Sequence, residues 1–294
     1  MQYNKGMNFQ PAVKWSGSKR SQCEEIISCF PRKIKNYYES FLGGASVAYR
    51  LMNSDIKVNK FILSDLNGDL INLYKLISVD YKSIVNHYEK LWNELNKDND
   101  FERKKLYFAE IRKRLNESHD PKDFMFIMRT TTNGMPRYNS DGEFNNSFHV
   151  TRNGIEPFRL EKVLKEWNKT LNSHNVEFVN ASYDTFSPTE NDFCYYDPPY
   201  ANTKGMYFGA IDNGKFFDFL RNLKCPYCFS FDGYCGDEDS TYDVPKDVYD
   251  SHVYLNSGNS SFRRVIGNKA NKIVYESLYL KNCGKNDKFS LFEI

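Results

Sequence analysis

The clearest chemistry in this sequence lies at Asp197-Pro198-Pro199-Tyr200. This stretch follows the run 192–196, DFCYY, which reads as a buried strand. In open α/β sheets, ligands gather at the carboxyl ends of the strands. A carboxylate there, followed by two prolines, suits attack by an exocyclic aromatic amine on a methyl sulfonium. The lone pair of such an amine, adenine N6 for example, is delocalised into its ring. Acceptors on its two hydrogens favour the sp³-like nitrogen of the transition state. The Asp197 carboxylate is one such acceptor and the Pro198 carbonyl is the other. Prolines fix φ and carry no competing N–H, so the loop is rigid. Tyr200 offers a ring face on which an extruded base can stack. This is electrostatic preorganisation, and it needs neither a metal nor a covalent intermediate. The plainer reading is a proline-rich strand exit with a capping aspartate.

The elements around this stretch alternate. Residues 37–41 read as a strand broken by Gly43-Gly44, and 46–52 as a helix carrying Val47, Ala48, Leu51 and Met52. Residues 60–64 read as a second strand ending at the turn 65–67. Residues 69–78 then carry Leu70, Leu73, Tyr74 and Ile77 on one helix face. Strand, helix, strand, helix argues for a parallel α/β sheet. The middle differs. From Tyr81 to Leu115 apolar residues recur at threes and fours, which predicts a helical pair, and Pro121 opens a further helix. Residues 131–148 hold turn chemistry at Asn133-Gly134 and Asp141-Gly142, so a hairpin or exposed loop is expected. The strand rhythm resumes at 175–179, 192–196, 227–231 and 272–279, and the last residues read as a loose tail.

Bulk properties narrow the class. Of 294 residues, 40% are apolar and 27% charged, as in a soluble globular protein. No stretch approaches the roughly 20 apolar residues of a membrane span, and the polar opening MQYNKGMNFQ lacks a signal-peptide apolar region. Seven cysteines, an odd number, then point to reduced thiols in the cytoplasm. Cys225-x-x-Cys228 has no second pair at ligand spacing, so no metal is expected. The net charge of +2 does not by itself argue for nucleic acid. A sequence-specific DNA enzyme needs a basic face rather than a basic total. Arg103, Lys104, Lys105, Arg112, Lys113 and Arg114 crowd one segment, either as a phosphate-binding face or as an ordinary solvated one.

Further motifs carry a resemblance. Residues 14–19 read KWSGSK, 39–46 read ESFLGGAS, 63–70 read LSDLNGDL, and 133–139 read NGMPRYN, followed by GEFN at 142–145. Together with DPPY, in this order, they resemble the Dam-type N6-adenine-specific DNA methyltransferases across almost the whole chain. The resemblance implies an α/β fold: a Rossmann-like sheet that binds S-adenosylmethionine (SAM), with an inserted, mainly helical target-recognition domain. Residues 1–74 and 172–294 would form the catalytic domain and 75–171 the DNA-binding insertion.

It implies that Asp197, Pro198, Pro199 and Tyr200 are catalytic. It implies cofactor contacts from Trp15, Lys19, Phe41, Gly43, Gly44, Asp65 and Asp197. Gly43 and Gly44 allow close backbone approach, and a carboxylate at Asp65 can accept ribose hydroxyls, although helix capping is its plainer role. DNA contacts are expected from Arg137, Asn139 and Asn145 in the loop, and from Lys104 and Lys105 as phosphate contacts. The partner would be duplex DNA bearing a specific sequence, with the target adenine flipped out of the stack. The setting would be restriction–modification, with a separately acting endonuclease, or phage modification. A monomer is expected, with a dimer as the alternative. The residues 229–232, FSFD, resemble a strand lining the adenine pocket, but 231–262 is longer and more acidic than in the best-known relatives. The rival readings are an N4-cytosine or protein-glutamine methyltransferase and an inactive SAM-binding DNA module.

Overall fold

The computed structural model describes residues 10–199, 211–235, 238–239, 241–259 and 273–283. Tyr200, expected in the site, and the expected tail beyond residue 283 lie outside them. The chain forms α1 (Cys23–Ser28), β1 (Lys33–Glu39), α2 (Ser46–Met52), β2 (Lys57–Asp65), α3 (Gly68–Leu95), α4 (Phe101–Ser118) and α5 (Pro121–Thr130). There follow α6 (Pro157–Asn172), β3 (Val176–Asn180), β4 (Phe193–Tyr196), α7 (Asn213–Asn222), β5 (Tyr227–Cys235), β6 (Glu238–Asp239), β7 (Ser251–Asn259) and β8 (Ile273–Lys281).

The sheet order is β3-β2-β1-β4-β5-β8-β7, with β6 paired to β5. Strands β1 to β5 run parallel, and β8 is antiparallel to both of its neighbours. The order reverses between β1 and β4, which is the switch point where a doubly wound sheet opens a crevice. Both faces of the sheet are covered. Side chains two apart share a face, so Tyr37, Phe193 and Tyr195 enter one core, while Tyr38, Cys194 and Tyr196 enter the other. Burial on both sides explains why these strands read as apolar runs rather than alternating ones.

The middle of the chain is helical, as its periodicity predicts, but it has no core of its own. Helix α3 crosses the expected boundary at residue 74 and kinks only at Asp80 (φ −151°, ψ 66°). The kink frees carbonyls, which are satisfied from α6: Asn168 Nδ2 donates to the Ile77 and Ser78 carbonyls, both at 2.9 Å, and Asn172 Nδ2 donates to Ser78. Trp167 of α6 packs on Tyr49 and Tyr74, with ring centroids at 4.3 and 5.6 Å. Apolar side chains of the insertion, such as Ile84, Ile111 and Leu164, thereby join the core that covers the sheet. Helix α5 starts as its sequence predicts, with Asp120 capping the Lys122 N–H and Pro121 in the first turn.

The loop 131–148 is a loose hairpin with two antiparallel bridges, Thr131 to Phe148 and Tyr138 to Phe144. It is less exposed than expected, because Phe144 and Phe148 are buried. Asn116 of α4 bonds the Phe144 backbone at both its N–H and its carbonyl. Among the described residues, no helix is long and apolar enough to cross a membrane.

Candidate active site

Asp197 lies one residue beyond β4, at the switch point beside β1. Pro198 is buried and Pro199 half-buried. Lys19 reaches over from the N-terminal segment, its Nζ 2.8 Å from Asp197 Oδ1 and 3.1 Å from Glu276 Oε2 of β8. Lys19 is 5% exposed and Asp197 18%. Burial pushes the Lys19 amine toward neutrality, but the two carboxylates outweigh it and hold it charged, raised above the ordinary lysine value. Burial pushes Asp197 up; Lys19 pulls it down and Glu276 adds to the rise, leaving it at about 6. A carboxylate so placed is ionised at neutral pH yet more basic than usual, as suits an acceptor of amine protons.

Two further acids stand nearby. Glu39 ends β1, is buried, and accepts a 2.7 Å hydrogen bond from Tyr37 Oη. Its burial outweighs that hydrogen bond, and the nearby Asp197 adds to the rise, bringing it to about 8. Asp232 of β5 keeps a buried Oδ2 with no hydrogen-bond partner among the described residues. Burial, reinforced by Glu276 and opposed by Lys19, raises it to about 6.

The turn after β1 is built on two positive-φ residues, Gly43 (φ +47°) and Ala45 (φ +51°). The Trp15 ring lies directly on Gly43: a Cβ there would meet Trp15 Nε1 at 2.8 Å. The glycine thus makes room for Trp15, a closer reason than cofactor approach alone. Asp65, at the end of β2, accepts hydrogen bonds from the Gly43 N–H at 3.0 Å and the Asn67 N–H at 2.9 Å. It is not the helix cap. That role falls to Asn67, whose side chain accepts from the Leu70 N–H. Phe41 stacks on Tyr183, with centroids at 5.6 Å and planes 26° apart, in an aromatic group with Tyr196 and Phe216.

The loop carrying Arg137 is tied to this same end of the sheet. The Ser16 N–H donates to the Gly134 carbonyl at 3.1 Å, and Asn67 Nδ2 donates to Tyr138 Oη at 2.8 Å. Arg137 is exposed, and its guanidinium donates to Asn145 Oδ1 (2.8 Å) and the Asn145 carbonyl (3.0 Å). Asn139 folds the turn, accepting the N–H groups of Asp141 and Glu143 and donating to the Glu143 carboxylate. Asn139 and Asn145 therefore shape the loop.

The basic helix departs from expectation. Lys104 and Lys105 were expected on one phosphate-binding face, but Lys104 is only 5% exposed. It shares the inward face of α4 with Phe108, Ile111 and Leu115, the i, i+4, i+7, i+11 stripe that its position should have disclosed. Lys105 points outward, 3.6 Å from Glu102. Arg103 pairs with Asp98, Arg114 with Asp123 and Lys113 with Glu117, so much of the basic charge is matched within the fold. Cys225 and Cys228 face opposite cores, and Cys225 Sγ is 3.4 Å from Cys194 Sγ.

Sequence reasoning brought Trp15, Lys19, Gly43, Gly44, Asp65 and Asp197 to one sheet end, where the structure also finds them. It assigned no role to Glu39, Tyr183 or Glu276. The signal for Glu276 was faint, a lone acid in a strand whose Ser277, Leu278, Tyr279 and Leu280 are all buried.

The strand order, the glycine turn and the acidic strand-end site with its Pro-Pro loop together define a Rossmann-like methyltransferase. The chain belongs to the D12 class N6 adenine-specific DNA methyltransferase family, whose family model matches residues 15–255. The type II methyltransferase M.MjaIII of Methanocaldococcus jannaschii is 30% identical over 208 residues, covering 66% of this chain and 70% of that one. A DNA adenine methylase of Vibrio cholerae serotype O1 is 33% identical over 210 residues, covering 69% and 70%.

Proposed function

We propose that this chain transfers a methyl group from SAM to N6 of an adenine extruded from duplex DNA at a specific sequence. The observation that carries this reading is Asp197 at the β4 end, ion-paired through one oxygen to Lys19 and followed by a Pro-Pro turn. The second carboxylate oxygen and the Pro198 carbonyl would take the two amine hydrogens. As the N6–C bond forms and the S–C bond breaks, the electron pair would stay on sulfur, which leaves as the neutral thioether, and the cationic N6 would pass one proton to the second oxygen of Asp197. SAM, when bound, supplies the electrophilic methyl. Its chemistry fits the residues present: Asp65 would accept the ribose hydroxyls, the aromatic group around Phe41 would take the adenine ring, and the turn 41–44 with Trp15 would hold the methionine part. Lys19 would act beside the cofactor by fixing Asp197.

DNA would be read by the loop of residues 131–148, with Arg137 toward base edges and Asn139 and Asn145 shaping the loop, while Lys105 contacts phosphate. Residues 75–171 would form the recognition part. The type II names among the relatives support a modification role beside a separate endonuclease.

The test is incubation with tritiated SAM and duplex DNA, followed by identification of the labelled base and its sequence context. Label in N6-methyladenine at one context is expected. Asp197→Ala is expected to slow single-turnover transfer by roughly 100- to 1000-fold, the scale of losing one preorganised group. Label in N4-methylcytosine or in protein would overturn the adenine reading, and binding without transfer would make the chain a recognition module.

A further inference from the structure

Lys19 has carboxylates on two sides, from strands that are not neighbours: Asp197 Oδ1 follows β4, and Glu276 Oε2 comes from β8. Strand β5 lies between them. A lysine amine on its flexible four-carbon stem is poorly fixed by one ion pair. Two ion pairs, with the Gly17 carbonyl as a further acceptor at 3.3 Å, define its position. The approach of β8 is built into the sheet. The β5–β8 register shifts between Phe231 and Tyr234, opposite Glu276. Gly233 sits within the shift, so close to β8 that a side chain there would collide with the Tyr275 carbonyl oxygen and press on the Glu276 Cα. The extra residue of this bulge lies on β5, so Asp232 and Gly233 together face Glu276.

We propose that Glu276 is a positioning residue for the reacting carboxylate, acting through Lys19. The shared ammonium occupies Asp197 Oδ1 and leaves Oδ2 for the substrate amine. The proposal rests on the adenine-methylating reading of this site. Glu276 also has an electrostatic effect of opposite sign to that of Lys19. Lys19 keeps Asp197 ionised, while the Glu276 charge keeps it basic. The other titratable groups toward Asp197 are Glu39 from β1 and Tyr195 from β4, with Asp232 of β5 acting on Lys19 and Glu276.

The test joins kinetics with a readout that needs no activity. Single-turnover methylation of duplex DNA is measured from about pH 5 to 9 for the wild type, Glu276→Ala, Glu276→Gln and Lys19→Met. The Asp197 carboxyl is titrated by ¹³C NMR in the same proteins and assigned with Asp197→Asn. In the wild type the rate should fall as pH drops through about 6, where Asp197 takes up its proton. Glu276→Ala should slow transfer by about 10- to 100-fold, the cost of a misplaced reacting group, with SAM affinity nearly unchanged. Glu276→Gln, which still accepts from the ammonium, should recover most of that loss. It should also move both the acid limb and the Asp197 midpoint to lower pH, because a negative charge is gone. Lys19→Met should move the midpoint up. An unmoved midpoint in Glu276→Gln, or wild-type transfer by Glu276→Ala, overturns the proposal. So does equal slowing of both Glu276 variants together with a lowered melting temperature, which would mark Glu276 as merely structural. Shifted midpoints with no methyl transfer by the wild type would instead overturn the functional reading and leave the shared ammonium standing.

Discussion

At the scale of single residues, the place of the candidate site was legible where one short motif carried both a carboxylate and its support. Asp197 and its prolines are contiguous, so type and spacing were enough to put them at the end of β4, where the structure has them. Asp65 was ambiguous in the sequence because any acid just before a helix can cap it. The structure resolves the point: Asn67 caps, and Asp65 holds the Gly43 and Asn67 N–H groups. Glu276 was not legible because its partner Lys19 lies far away along the chain. The Gly43 conformation gives a direct test. Alanine there would be strained at φ +47°, at about 1–2 kcal/mol, and its Cβ would press on the Trp15 indole. Gly43→Ala should therefore lower the melting temperature and weaken SAM binding in calorimetry. Gly44→Ala, with its nearest contacts at 3.3 Å, should do so less. Equal behaviour of the two variants would mean that the turn relaxes out of its positive φ at Gly43 and that Trp15 moves aside.

At the scale of elements, β4 and β5 and the carboxyl ends of β1 and β2 could be read because burial on both faces makes them apolar runs, whereas edge strand β3, with only Phe178 buried, alternates. Helix α6 was missed although Leu160, Leu164, Trp167 and Leu171 recur at helical spacing and are buried. It follows a turn-rich stretch that drew attention to loop chemistry instead. Strand β7 was missed because its inward Val253 and Leu255 alternate with His252 and Tyr254, which are themselves half-buried, so the period-two pattern is blurred. Strand β1 carries a consequence for stability. Glu39 is raised to about 8 by burial, so it is protonated in the folded protein at neutral pH. Its contribution is fully present below the ordinary glutamate range and is lost as pH rises through about 8. Glu39→Gln, which cannot ionise, should gain in melting temperature relative to the wild type between about pH 5 and 9. A difference that does not change with pH would mean that Glu39 is ionised in the fold.

At the scale of the molecule, charge is largely used up internally on α4; the pairs Lys105–Glu102 and Lys113–Glu117 follow from helical spacing, but Arg103–Asp98 and Arg114–Asp123 depend on the fold bringing acids outside the helix within reach. Recognition should then divide unevenly. Arg137→Ala should cost about 1–3 kcal/mol at the cognate site and relax discrimination there. Lys105→Ala should weaken binding to cognate and scrambled duplexes alike and slightly flatten the salt dependence. Binding titrations at several salt concentrations decide this, and an equal loss on both duplexes for Arg137→Ala would shift base reading away from the loop.

The sheet order has one more consequence, and it concerns time. Strand β8 is the last of the described strands to be synthesised, yet it sits between β5 and β7, both of which are made before it. Because β7 bonds only to β8, neither joins the sheet until β8 is made; until then β5 has an open edge and the Lys19 amine meets only one of its two carboxylates. Chains grow from the amino terminus and tend to fold as they emerge. A nascent chain on the ribosome can therefore assemble the parallel strands and the turn around Gly43 while Lys19 beside Asp197 still lacks its second carboxylate. The last described strand therefore completes both the sheet and the pair of carboxylates around Lys19 in one step.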